Sequence, residues 1–454
     1  MPDGNPRLHP AAAAAFDAKG EAIAASVEAS VPPPTNPAAT GDAHISETIT
    51  SADPLAERRF DVGIDGRNLS CEFGTRTRGY LRIAGDGHKE LNALCDNITR
   101  QRAIGDLASA EFLYDAAIDW LAARADGETT NLCRFLETRL DAAVEKVQVW
   151  LPLPVVSIPQ PILIGRTTFR RVTKPMIDAF LAKAGVTPDQ RSAGADFYRQ
   201  RVQASTAACV EVEAEPIRAA AKAAEEAESS IAMLRLVCPV NGTARRWIPI
   251  SPTEIDRTVG QCELTVKAGF ITRSHMSSPA GMLNQWPIQR DDLPGYNAIW
   301  RFGHDLILAN RNPFQDLLLG AIVHFSKSIL KPDPAERLMY VTTALESLLV
   351  DKNENILQNL RERLAVTSPK KGRLACLKLV NKVYQMRSDF VHLAVPTKDL
   401  ELLTRFLWMA WSLILFLLAN HERWRSKAEL LQELDAHKFT GPDFSTATPR
   451  TQPS

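Results

Sequence analysis

The sequence predicts an α+β protein, with a mixed α/β N-terminal region followed by an all-α C-terminal helical bundle. Three observations carry that expectation. Over much of residues 58–270, short apolar runs alternate with Gly, Asp and Pro, as strands and their turns do. Strand signals then stop near Asn312. Beyond that point apolar residues recur at helical spacing, in five consecutive stretches with short connections.

Taken in order, residues 1–57 are rich in Ala, Pro, Thr and Ser around VPPPTNPAAT, and they are expected to form a disordered leader. They do not read as a signal peptide, because Asp3 and Pro10 precede an alanine run with no hydrophobic segment. Residues 58–311 are expected to form a mixed α+β region with a sensor or regulatory role. FDVGIDGRNLSCEFGTRTRGYLRIAGDG reads as a hairpin or meander. From His88 to Val147 the spacing is helical, with Leu91, Leu94, Cys95 and Ile98 on one face. VQVWLPLPVVSIPQPILIGRTTFRRVT is strand-like, and Pro152, Pro154, Pro159 and Pro161 point to edge strands or an extended crossing. ACVEVEAE alternates as a strand, and Pro216 suits the first position of a helix reaching about Val237. Further short strands are expected over 246–270. The bundle, residues 312–437, is expected to hold helices at 314–329, 334–350, 355–366, 371–391 and 398–419, with a disordered tail at 438–454.

Composition narrows the function. Lys plus Arg number 53, and so do Asp plus Glu, which argues against coating a nucleic acid or membrane by bulk charge. Seven scattered cysteines without CxxC or histidine partners read as reduced thiols of a cytoplasmic protein, not a disulfide frame or zinc site. No phosphate-binding loop, nucleotide fingerprint or metal cluster is visible, so no cofactor and no metal are expected. FLWMAWSLILFLLA, residues 406–419, is shorter than the roughly 20 residues of a membrane span. It reads as a core helix, with no membrane partner.

The candidate site lies in VYQMRSDFVHLAVP. On a helix the neighbours of Arg387 are Val383, Tyr384, Phe390 and Val391, all apolar or aromatic. A guanidinium aimed at a packed surface needs an anion. TTALESLLV offers Glu346, which also faces largely inward. The alternatives are a buried Glu346–Arg387 pair that locks two helices, or an arginine that reaches a phosphate with its bidentate fork. Five residues on stands His392, with Ser388 and Asp389 one turn back to orient its ring, and Pro396 to end the helix. Arg387 and His392 are about 140° apart on an ideal helix, so a second surface has to complete any site they share.

Three blocks in order, ERLMYVTTALESLLV, ILQNLRERLAV and VYQMRSDFVH, resemble the Apea-like branch of the HEPN superfamily. The resemblance covers about residues 334–420. It implies an all-helical HEPN domain that forms a homodimer, bringing two R-x4-6-H motifs face to face. It also implies RNA as substrate, metal-independent endoribonuclease activity, and a setting in toxin–antitoxin, anti-phage or RNA-processing systems, with an antitoxin or regulatory protein as a further partner. Carried onto this chain, Arg387 and His392 match the catalytic pair, while Ser388, Asp389, Glu346 and Tyr384 support it. Leu393 stands where many members have glycine. RNA supplies its own nucleophile, the 2′-hydroxyl, so histidine acid–base chemistry and arginine charge stabilisation suffice. Two other readings remain: a catalytically silent module binding RNA, a nucleotide or a protein, and a scaffold whose bundle only dimerises.

Overall fold

The computed structural model describes residues 7–30, 45–49, 58–62, 68–153, 155–183, 185–191, 196, 206–238, 241, 244, 248, 250, 262–267, 270–276, 286–394 and 399–439. The chain divides into two compact units, residues 1–147 with 212–222, and residues 148–211 with 223–454. Strands lie in the N-terminal part and helices alone follow, so the protein is α+β, as the patterning predicts.

The first unit holds α1 (Pro10–Ala24), β1 (Glu28–Ser30), β2 (Ile45–Ile49), β3 (Arg58–Val62), β4 (Asn68–Thr75) and β5 (Gly79–Ala84). Helices α2 (Gly85–Thr99), α3 (Arg102–Gly105), α4 (Ala110–Ala125) and α5 (Leu132–Ala143) follow. The strands form one antiparallel sheet in the order β1-β5-β4-β3-β2, which contains the expected meander. Its β4–β5 turn depends on Gly79, whose φ of 74° favours a residue without Cβ. Leu91, Leu94, Cys95 and Ile98 are buried together, as their shared face predicts.

The segment expected to be a disordered leader differs from that expectation. Helix α1 places Leu8, just before it, and Ile23 in the core that also holds Trp120, Leu132 and Leu136. Asp17 accepts a hydrogen bond from the Cys133 amide at 2.8 Å, and Arg7 pairs with Asp141 at 2.7 Å. The physical reason is a sparse apolar line at helical spacing, Ala13, Phe16, Gly20 and Ile23, in which Gly20 lets the helix come so close that a Cβ there would collide with Leu132. VPPPTNPAAT lies outside the described residues.

In the second part, β6 (Glu145–Leu153), β8 (Ile162–Ile164), β9 (Thr167–Arg171), β10 (Thr206–Ala214), β11 (Cys262–Lys267) and β12 (Phe270–Met276) form a six-stranded sheet in the order β12-β11-β6-β10-β9-β8. The short β7 (Val156–Ser157) pairs in parallel with β13 (Trp286–Pro287). The proline-punctuated strand β6 is interior rather than at an edge. It tolerates Pro152 because β11 pairs with it only at Gln148–Trp150, leaving the proline beyond the ladder. Pro154 lies outside the described residues.

Helices α6 (Lys174–Lys183), α7 (Pro216–Leu236) and α8 (Leu293–Leu308) precede the bundle. Pro216 opens α7 as predicted, and the buried Glu215 carboxylate caps it, accepting from the amides of Ile217 and Arg218, each at 2.7 Å. The five expected bundle helices are α9 (Pro313–Lys327), α10 (Pro334–Leu349), α11 (Ile356–Thr367), α12 (Arg373–Leu393) and α13 (Leu400–Ala419). A sixth, α14 (Lys427–Phe439), carries the bundle into the segment expected as a tail; residues 440–454 lie outside the described ones.

Helix α13 has 20 residues, six more than the apolar run read from the sequence, because Asp399 caps it and Leu400–Arg405 continue it. It is the one helix among the described residues long and apolar enough to cross a membrane. In the bundle it is the core helix. Leu403, Phe406, Leu407, Ala410, Leu413, Ile414, Leu417 and Leu418 recur every three or four residues and are buried, each large side chain contributing about 1.5–3 kcal/mol. Six of the cysteines are buried thiols outside any disulfide among the described residues.

Candidate functional site

Helix α12 buries little of itself. Over its 21 residues only Cys376, Val380 and Val383 are fully buried, and they define the line that faces the bundle. Arg387 is the next residue on that line, one turn beyond Val383. Its guanidinium is therefore directed inward, toward α10, as the neighbour pattern predicts.

Arg387 forms an ion pair with Glu346, but no direct hydrogen bond joins them. Its Nη1 lies 3.6 Å from Glu346 Oε1, with the two side chains 24% and 20% exposed. The Tyr384 hydroxyl stands between them. It donates to Glu346 Oε1 at 2.9 Å and accepts from Arg387 Nη1 at 3.1 Å. The Arg387 guanidinium also sits 5.1 Å from the centre of the Tyr384 ring, within cation–π range. Burial, reinforced by the Glu346 carboxylate, pushes the Tyr384 hydroxyl up to about 12, so it keeps its proton and remains a donor at neutral pH. The sequence singled out Tyr384 as supporting, but its bridging position depends on side-chain geometry that spacing does not show.

Most donors of Arg387 are unused. Its Nε is buried and makes no hydrogen bond. Arg363, on the neighbouring α11, shows what a structural arginine looks like in the same bundle. Its Nη1 and Nη2 bind both oxygens of Glu354 at 2.5 and 2.8 Å, and its Nε and Nη2 bind Asp435 at 3.0 and 2.8 Å. Nη1 also donates to the Leu349 carbonyl at 2.7 Å. Arg363 is a satisfied lock. Arg387 is held loosely, with binding capacity in reserve.

His392 lies in the last turn of α12, on its exposed side. The turn of about 140° from Arg387 is realised, so one chain does not bring the two side chains together. Asp389, expected to orient the imidazole, instead accepts from Gln385 Nε2 at 2.6 Å. Ser388 is half-buried and makes no hydrogen bond through its side chain among the described residues. The structure thus joins Arg387, Tyr384 and Glu346, and leaves Ser388, Asp389 and His392 on the rest of the helix.

Around His392 the surface is apolar. Val391 is 51% exposed and Leu393 69%. With leucine at position 393 the helix continues through it, and Ala394 takes the left-handed conformation, at φ 52°, that ends the helix. Val395 and Pro396 lie outside the described residues. The other Arg–His spacing in the chain, Arg82 to His88, is no site: His88 is buried in the first unit and bonded to the Tyr114 hydroxyl at 3.0 Å. Comparison of the chain with protein-family models, with curated proteins and with solved structures finds no match, so the site stands on its own residues.

Proposed function

We propose that this protein is a HEPN-type, metal-independent endoribonuclease whose active site is completed by a second copy of the chain. The observation that carries the reading is the unfinished coordination of Arg387. Arg363 spends its donors on two carboxylates and a carbonyl. Arg387 faces its carboxylate at 3.6 Å with a tyrosine hydroxyl between them, and the only hydrogen bond its guanidinium makes is to that hydroxyl, so its fork retains donors for a phosphate. The exposed Val391 and Leu393 beside His392 support a dimer contact there.

In this mechanism the RNA 2′-hydroxyl loses its proton to a histidine and attacks the adjacent phosphorus. The O2′–P bond forms, the P–O5′ bond breaks, and the departing O5′ takes a proton from the second histidine of the pair. Arg387 neutralises the charge that builds on the non-bridging oxygens. The products are a 2′,3′-cyclic phosphate and a 5′-hydroxyl. The setting is cytoplasmic RNA processing or defence, with an antitoxin or regulatory protein as partner.

Arg387→Ala and His392→Ala each reduce cleavage at least about 100-fold, the scale of a lost acid–base or charge-stabilising group. Cleavage that survives both substitutions sinks the reading. A second reading, a silent module that binds RNA, a nucleotide or a protein, draws on His392 facing away from Arg387. It requires binding without cleavage, and indifference to His392→Ala.

A further inference from the structure

The segment leading to the site is charged in a way the rest of the chain is not. Between Leu364 and Ser388 stand six basic residues, Lys370, Lys371, Arg373, Lys378, Lys382 and Arg387, and no carboxylate, in a protein of zero formal net charge. Several other basic side chains in or beside the bundle are paired: Arg311 with Asp316, Arg363 with Glu354, Arg405 with Glu401, and Lys438 with Glu362. Lys370, Lys371, Lys378 and Lys382 are exposed and have no carboxylate partner among the described residues.

Their placement follows from helix geometry. Lys378 and Lys382 are about 40° apart round α12 and about 6 Å apart along it. His392 continues that side of the helix, about 40° from Lys378 and about 21 Å further on. Lys370 and Lys371 lie in the 3-10 turn before the helix. From α11, Arg361 reaches Asn381 at 3.4 Å, adding a cation beside the two helical lysines. The nearest carboxylate of α11, Glu362, is taken by Lys438 at 3.1 Å, and Asp389 on α12 is held by Gln385.

We propose that Lys370, Lys371, Lys378 and Lys382, with Arg361, form a track on which single-stranded RNA lies by its phosphates as it reaches His392. The proposal rests on the reading of Arg387 and His392 as an RNA site, and adds how the substrate is held. Backbone contact of this kind is indifferent to sequence and strongly dependent on salt. An acidic protein on the same track is the competing occupant.

Binding is separated from cleavage with a short 2′-O-methyl oligoribonucleotide, which has phosphates but no free 2′-hydroxyl. Its affinity for the full chain is measured by fluorescence anisotropy across a salt series. The double variant Lys378→Gln/Lys382→Gln removes two phosphate contacts, so the slope of log affinity against log salt falls by about 1.4. Lys352→Gln, an exposed lysine off the track, leaves the slope unchanged. Arg387→Ala leaves the track's share of the slope in place. An unchanged slope in the double variant overturns the track even if the protein cleaves RNA. A slope lost as expected in a protein that does not cleave keeps the track and removes the nuclease. No binding of the oligonucleotide by the wild-type chain overturns the track and points to the acidic protein.

Discussion

Arg387 and Arg363 stand on adjacent helices of one bundle, and the difference between them is a difference of duty. Arg363 is nearly buried, and its donors converge on Glu354, Asp435 and a carbonyl. Replacing it with methionine leaves Glu354 without its arginine, while Asp435 keeps Lys438 at 2.8 Å, and costs about 2 kcal/mol, read as a lower denaturation midpoint. Arg387→Ala removes a partly exposed charge with no direct hydrogen bond to its carboxylate, and costs at most about 1 kcal/mol. The two substitutions should therefore separate stability from activity. Tyr384→Phe deletes the hydroxyl that bridges Glu346 to Arg387. It should cost about 1 kcal/mol and slow RNA cleavage while oligonucleotide binding persists. Binding lost along with cleavage would deny Tyr384 its positioning part. The inward aim of Arg387 was legible from its four helical neighbours. The bridge was not, because which oxygen a guanidinium meets is set by rotamers, and sequence spacing is silent about those.

At the scale of elements, the ends of α12 carry the next tests. Its C-terminus depends on Ala394 in the left-handed region, where a Cβ is unfavourable by about 1 kcal/mol. Ala394→Gly should raise the melting temperature without altering activity at the site. The last turn also exposes Val391 and Leu393, and Leu393→Glu should shift the chain toward monomer in sedimentation equilibrium and reduce cleavage in step. A monomeric wild-type chain that cleaves RNA would contradict the composite site. The bundle helices were legible because each sets an apolar stripe at helical spacing against its neighbours. Helix α1 was not, since its packed line of Ala13, Phe16, Gly20 and Ile23 holds only two large apolar side chains and is masked by the surrounding alanines. The interior place of β6 was hidden as well, because its partner β11 lies more than 100 residues away in the chain and nothing local marks which strands will meet.

For the whole molecule, acid should act on stability over two pH ranges, that of histidine and that of carboxylates. In the first unit, burial lowers the His88 pKa, so its unfolded form takes up a proton that the folded form resists. That unit is at full stability above the ordinary histidine value of 6.5 and loses stability as the pH falls below it. In the second unit, hydrogen bonds from Arg363 hold the Glu354 and Asp435 carboxyls below their ordinary range. Their stabilisation is complete above the ordinary carboxylate range and disappears only as the pH drops through the depressed values. In the bundle, burial and Lys327 lower the His324 pKa as burial lowers that of His88. Amide exchange should show both units losing protection as the pH falls below the ordinary histidine value, with a further loss in the bundle through the carboxylate range. Protection unchanged through both ranges would contradict the assignment.

The central claim is that Arg387 and His392 cleave RNA without a metal. Its most direct test is to incubate the full chain with single-stranded RNA in excess chelator and to determine the chemistry of the new ends. Under the proposed function the wild type leaves 2′,3′-cyclic phosphate and 5′-hydroxyl ends, and Arg387→Ala and His392→Ala leave the RNA intact. Intact RNA with the wild-type chain, or the same ends from both variants, would contradict it.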